Sequence, residues 1–289
     1  MKIRAYAALA LAIAGITWSA IFVRWADVPG PVSAFYRVLI AGVVLITWRG
    51  IRGGRRPVAP RAAWIAVAGG VFFALDLALW NTALLKTQAA VASILGNNTP
   101  IFVGIMTWLV FGRRPRRSFW IGLALSLTGC LLIISVNLRP ATATPGSATG
   151  DLLAIAASLF FAAYLIVTER VRQSMDTLTF NALAIAGSVV TLLLIALVLR
   201  LPLTGFPART WAALAGLGLI TQLAAYYGLV YALGHLPATI TSVGLLAQIP
   251  GTAALAWLLL GEPLTPVQMA GGAVVLAGIY VVNRYSGES

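Results

Sequence analysis

One cysteine and one histidine stand in the whole chain, Cys130 and His235. A disulfide framework needs paired cysteines. Metal clusters and thiol–imidazole pairs of the usual catalytic kind need several such groups together, so all of these are excluded. No metal site and no catalytic residue is expected. Acidic residues are scarce too, seven against twenty Lys and Arg. Charged residues make up 9% of the chain, where a soluble domain carries roughly 25%. A water-facing surface cannot be built from so little charge, so bilayer must cover much of the molecule. A Gly-rich phosphate loop before a basic residue is also missing, and neither ATP nor another tightly bound cofactor is expected.

What is present is apolar. Hydrophobic residues form 60% of the chain, in runs near 5–23, 32–48, 62–84, 88–111, 118–136, 152–168, 178–199, 210–232, 238–260 and 267–283. Each is close to the ~20 residues that cross ~30 Å of hydrocarbon. The formal charge of +13 invites a nucleic-acid reading. However, Arg and Lys sit in the short gaps between runs, as polybasic caps facing lipid headgroups do. The expected surroundings are therefore a lipid bilayer and no nucleic acid, and the chain is expected to function as a monomer. Lys2 and Arg4 before an Ala/Leu run resemble a signal peptide, but the run stays apolar past Trp18 to Val23. That exceeds the 7–15 residues of a typical h-region, and an uncleaved helix is expected. Cys130 lies inside a run, as a small buried thiol would.

The gaps also give orientation. Lys2, Arg4, Arg49, Arg52, Arg55, Arg56, Arg61, Arg113, Arg114, Arg116, Arg117, Arg170, Arg172 and Arg284 fall on one side, fourteen in number. Arg24, Lys86, Arg139, Arg200 and Arg209 fall on the other, five in number. Positive residues accumulate in the cytoplasm, so both termini are expected there, in a multi-pass protein of the inner (plasma) membrane.

The chain repeats itself. Trp108, Gly112, Gly122 and Gly129 match Trp257, Gly261, Gly271 and Gly278 at a constant offset of 149, and Ala83-Leu84 matches Ala232-Leu233 at the same offset. Pro100 and Pro250 fall mid-run one residue out of step, each with an amide two residues earlier, Asn98 and Gln248. Each half holds five runs, and an odd number forces the second half to begin on the opposite side. The expected fold is an all-α membrane protein of ten transmembrane helices in two inverted five-helix repeats, 1–137 and 151–289. A Pro-, Ala-, Thr- and Gly-rich linker at 138–150 joins them. Inverted repeats cradling a midplane site are a transporter design.

The stretch from Trp257 to Gly278, WLLLGEPLTPVQMAGGAVVLAG, resembles the end of an EamA-type domain of the drug/metabolite transporter superfamily. Thr17-Trp18-Ser19 and Pro31-Val-Ser-Ala-Phe-Tyr-Arg37 resemble the opening of the other copy. The resemblance spans nearly the whole chain. It implies a secondary transporter exporting amino acids or other small amphipathic metabolites by alternating access. Gly261-Glu262 in the second copy becomes Gly112-Arg113 in the first, so Glu262 reads as a local end-of-helix feature.

Only Arg37 and Asp76 carry charge inside the runs. Each costs ~2.5–3.5 kcal/mol at a helix centre on translocon scales. Together that is roughly 5–7 kcal/mol, comparable to the net stability of a protein. They must face each other, water or a substrate. Their depths of ~8 and ~12 Å let an arginine bridge the gap, so a permanent ion pair is expected. The alternatives are a substrate carboxylate on Arg37, or protonation of Asp76 during coupling.

Phe73, Asp76 and Trp80 share one face of the third run, and Gln222 and Tyr226 form an i, i+4 pair at nearly equivalent positions in the eighth. Trp18 and Tyr164 occupy the middle of the first run of each copy. Such aromatic and polar faces suit an amphipathic ligand, although for each aromatic alone helix packing is the better explanation. Pro100 deprives the carbonyl of Gly96 of its helical partner, and Pro250 that of Leu246. Asn97, Asn98 and Gln248 stand beside these breaks, with Ser93, Gly96 and Pro100 on one stripe and Thr241, Leu245, Gln248 and Thr252 on the other. A cavity wall or hinge is expected, or else a kink satisfied locally by Ser or Thr. Three rival functions remain. Proton-coupled drug or cation efflux would need Asp76 to titrate. An intramembrane enzyme is opposed by the lack of paired acids or of His and Cys at depth, and an assembly factor would show no saturable flux.

Overall fold

In hydrocarbon each backbone N–H and C=O must find a partner within the protein, and a helix supplies one locally. The apolar runs obey this. A computed structural model describes residues 2–52, 58–86, 95–135, 147–260 and 265–286, and these contain helices but no strand. In order they are α1 (Lys2–Thr17), α2 (Ser19–Ala26), α3 (Gly30–Arg52), α4 (Pro60–Lys86), α5 (Thr99–Phe111), α6 (Arg117–Ser135), α7 (Ser147–Arg172) and α8 (Thr177–Val198). Then follow α9 (Ala208–Gly216), a π-helix (Leu217–Tyr226), α10 (Tyr227–Leu233), α11 (Ala238–Leu245), α12 (Gln248–Leu260) and α13 (Pro266–Ser286).

Among the described residues nine helical stretches are long and apolar enough to cross a membrane, and α5 is a shorter apolar helix. Leu109 and Val198 expose 73% and 79% of their surface, a cost in water and an ordinary state against lipid. The linker expected at 138–150 lies mostly outside the described residues, but helix already begins at Ser147. Ser93 and Glu262 also lie outside them.

The helix ends follow local chemistry. Pro31 and Pro100 stand in the first turns of α3 and α5, where a missing N–H costs nothing. Gly112 ends α5 at φ +66, the left-handed conformation that glycine adopts freely, and donates its N–H to the Trp108 carbonyl.

Small residues decide which helices lie closest. A Cβ added to Gly129 of α6 would stand 2.5 Å from the Gly271 carbonyl oxygen of α13, and one added to Gly278 would stand 2.4 Å from that of Gly122. Between these contacts Ser126 donates to the Val275 carbonyl at 3.4 Å. Contact positions rise along α6 as they fall along α13, so the two helices run antiparallel with backbones touching.

Two of the expected kinks lie where the sequence put them. The ninth stretch parts at Leu246–Ala247, between α11 and α12, and a turn at Asn97–Asn98 precedes α5. The Gly96 carbonyl accepts from Thr99 Oγ1 at 3.2 Å and the Leu246 carbonyl from the Ile249 N–H at 3.1 Å. Local donors thus replace what the prolines remove.

Candidate functional site

Arg37 sits two turns into α3 and is 6% exposed. Its Nε donates to Gln222 Oε1 at 2.8 Å and its Nη1 to Ser19 Oγ at 3.4 Å. The guanidinium carbon lies 4.9 Å from the centre of the Tyr226 ring and 5.9 Å from that of Phe73, so aromatic faces cover the cation. Nη2 is buried and has no hydrogen-bond partner. The Tyr226 hydroxyl is near enough to feel the guanidinium without completing a hydrogen bond to that nitrogen.

Gln222 and Tyr226 both belong to the π-helix. This winding is rare and recurs at functional sites. The stretch of α4 that lies at the 149-residue sequence offset is regular α-helix.

The expected Arg37–Asp76 ion pair is not formed. Two neutral acceptors hold the guanidinium from other helices, and among the described residues no carboxylate reaches it. Asp76 interacts with Arg37 only through space. Asp76 itself is half-buried.

Around the cation lies a cluster of rings. Phe73 is 4.9 Å from Tyr164 and 4.8 Å from Tyr226, centre to centre, and Phe161 is 6.1 and 6.5 Å from the same two tyrosines. Phe161 also lines a cavity of about 40 Å³ with Asn97, Thr99, Pro100, Ser242 and Gln248. This space sits at the first residues of α5 and α12, where helix dipoles present partial positive charge. Gln248 Nε2 donates to Asn97 Oδ1 across it at 3.4 Å. Small-molecule pockets hold roughly 300–1,000 Å³, so a space of this size takes water-sized groups and not a whole metabolite.

Of the residues singled out from sequence, the structure unites Arg37, Phe73, Tyr164, Gln222 and Tyr226 around the guanidinium, and Asn97, Pro100 and Gln248 around the cavity. Trp80 lies beside the cavity: its ring packs on Gly96, a cavity residue, where a Cβ would lie 2.1 Å from the ring. Trp18 is not brought in. Its ring stacks on Phe22 at 6.0 Å within a separate apolar cluster. Asn98 caps α5 through its backbone, and Pro250 faces Gly272 of α13. Sequence reasoning quoted Ser19 within a motif without giving it a role at the site, and passed over Phe161. Phe161 lies three residues before Tyr164, so helical spacing alone could have raised it.

Comparison with known proteins agrees with this architecture. The model of the EamA-like transporter family matches residues 2–135 and again 148–284. The chain is 28% identical over 255 residues to the "Uncharacterized transporter YwfM" of Bacillus subtilis, covering 86% of this chain and 82% of that one. It is 27% identical over 252 residues to a "Probable terminal-alkyne amino-acid exporter" of Streptantibioticus cattleyicolor, with coverage of 86% and 82%. It is also 27% identical over 218 residues to the "Pseudopaline exporter CntI" of Pseudomonas aeruginosa, with coverage of 74% and 73%. A solved crystal structure superposes over the full length of both chains with a TM-score of 0.82 at 18% identity, a likeness of fold. With two matches that together take in nearly every residue, this multi-pass membrane protein belongs to the EamA-like transporter family.

Proposed function

We propose that the chain is a secondary transporter exporting amino acids or similar small amphipathic metabolites across the plasma membrane by alternating access. One observation carries the reading: a buried guanidinium with an unpaired nitrogen, set among aromatic rings inside the membrane helices. Such a group suits the carboxylate of a metabolite, while the rings of Phe73, Phe161, Tyr164 and Tyr226 suit its apolar part. The two exporters named above supply the amino-acid and metabolite class.

The ten spans act as two inverted halves, 1–137 and 151–289, with both termini in the cytoplasm. Packing of α6 on α13 supports this. Gly122 meets Gly278 and Gly129 meets Gly271, and the 149-residue offset exchanges one contact for the other. A two-fold axis in the membrane plane has that effect. The parted helices at Asn97–Asn98 and Leu246–Ala247 are the joints about which the halves rock, with Pro100 and Pro250 keeping them from closing into straight helices.

The test is counterflow in proteoliposomes with labelled amino acids, with and without a pH gradient. Saturable exchange of at least one amino acid is expected, and no exchange for any of them defeats the substrate class. Asp76 supports a second reading, proton-coupled efflux of drugs or cations, because its carboxylate accepts no hydrogen bond among the described residues and retains accessible surface. Asp76→Asn under an imposed gradient decides it: unchanged gradient dependence removes proton coupling through this residue.

A further inference from the structure

We infer that Gln222 sets the charge of the cargo, by aiming Arg37 without neutralising it and so leaving the guanidinium's charge for a substrate carboxylate. This rests on the ring cluster around Arg37 being the substrate site. A buried arginine normally sits against an acid, because desolvating an uncompensated charge costs several kcal/mol. Here the acceptors are an amide oxygen at 2.8 Å and a hydroxyl at 3.4 Å, both neutral. They fix the plane of the guanidinium, and the Tyr226 ring covers its face. Asp76 lies near enough to act through space but not to pair. The remaining nitrogen, Nη2, is buried and completes no hydrogen bond, with the Tyr226 hydroxyl nearby.

Glutamate has the length of glutamine and offers an oxygen at the same place. If the fold needed only an anchor for Arg37, glutamate would hold it more strongly through a charge-assisted hydrogen bond. Glutamine gives direction alone. The site therefore keeps one positive charge open, and an anionic group on the ligand completes it. Glutamate at this position would occupy that role from within the protein, and the preference for a carboxylate would be lost. Gln222 is on this account a positioning residue that determines specificity through Arg37.

The experiment is counterflow with the full-length protein in proteoliposomes, comparing L-phenylalanine and L-leucine with their carboxamides as competitors. In the wild type the free acids should compete at least tenfold better than the amides. In Gln222→Glu that acid-to-amide ratio should fall at least tenfold while the melting temperature in detergent is kept. Mere structural damage lowers both competitors alike and leaves the ratio where it was, which overturns the inference. Should Gln222→Glu not fold, Ser19→Asp brings the anion to Nη1 from α2, and the same fall is expected; an unchanged ratio overturns the inference there too. A wild type that exchanges no amino acid removes the substrate reading and this inference together. A wild type that exchanges them without preferring acid over amide removes the inference alone.

Discussion

Arg37 does three things with one planar group: it donates to Gln222, donates to Ser19 and lies against Tyr226. A lysine ammonium is a point charge without that fork and cannot hold both acceptors while stacking. Arg37→Lys should therefore fold but bind a carboxylate substrate about tenfold more weakly, near 1.4 kcal/mol, read as a rise in the half-saturating concentration for counterflow. Wild-type kinetics in that variant would mean the guanidinium geometry plays no part. Tyr226 separates ring from hydroxyl. Tyr226→Phe keeps the aromatic face over the cation and should exchange substrate within about twofold of wild type. Tyr226→Ala removes a cation–π contact of ~0.5–2 kcal/mol and leaves a void, so its melting temperature should fall well below that of the phenylalanine variant.

Elements succeed or fail by how closely their backbones approach and how their ends are closed. Gly129 lies on α6 with the Gly271 carbonyl 2.5 Å from where a Cβ would be. A carbonyl in a helix cannot swing aside, so Gly129→Val should destabilise by about 1–3 kcal/mol or more, measured as a fall in melting temperature in detergent. Gly50 of α3 meets nothing within 4 Å, and Gly50→Ala should be neutral or slightly stabilising by helix propensity.

Asp176 closes the start of α8, accepting from the Thr179 N–H at 3.0 Å. Partial burial pushes its pKa up, but hydrogen bonds from Thr179 and Leu178 outweigh this and hold it below the usual carboxylate range. A folded value below the unfolded one contributes stability that is full above the unfolded pKa, near 3.9, and is lost as pH falls through the folded value. Asp176→Ala should cost ~1 kcal/mol at neutral pH, and its melting temperature should fall less in acid than that of the wild type.

The sequence held more of the elements than of the site, for a physical reason. Run length, Gly112 at a helix end and the paired glycines of α6 and α13 act locally or repeat at a fixed spacing, so they can be read in one dimension. The acceptor of Arg37 stands 185 residues away, and nothing near Arg37 distinguishes Gln222 from Asp76 as its partner. The π-helix is equally hidden, because Leu217–Tyr226 reads as ordinary apolar helix until neighbouring helices fix its winding.

At the scale of the whole molecule the decisive property is which membrane face each loop meets. If five-helix halves lie upside down to each other, corresponding loops must open on opposite faces, while loops an even number of spans apart share one. Ala59, between α3 and α4, and Thr204, between α8 and α9, are exposed and on that arrangement would occupy the same loop of the two halves; Gln173, between α7 and α8, is exposed as well. Cys130 is buried in α6 and is replaced by alanine to give a cysteine-free background. In right-side-out and inverted vesicles carrying Ala59→Cys, Gln173→Cys or Thr204→Cys, a membrane-impermeant maleimide should label Ala59→Cys and Gln173→Cys from the cytoplasmic face. Thr204→Cys should label from the opposite face only. The excess of fourteen basic residues against five is the reason to expect the cytoplasm on that face, so the pattern tests orientation and inversion at once. Labelling of Ala59→Cys and Thr204→Cys from one face would make the halves parallel, and the exchange of contacts between Gly122–Gly278 and Gly129–Gly271 would then be without a symmetry to explain it.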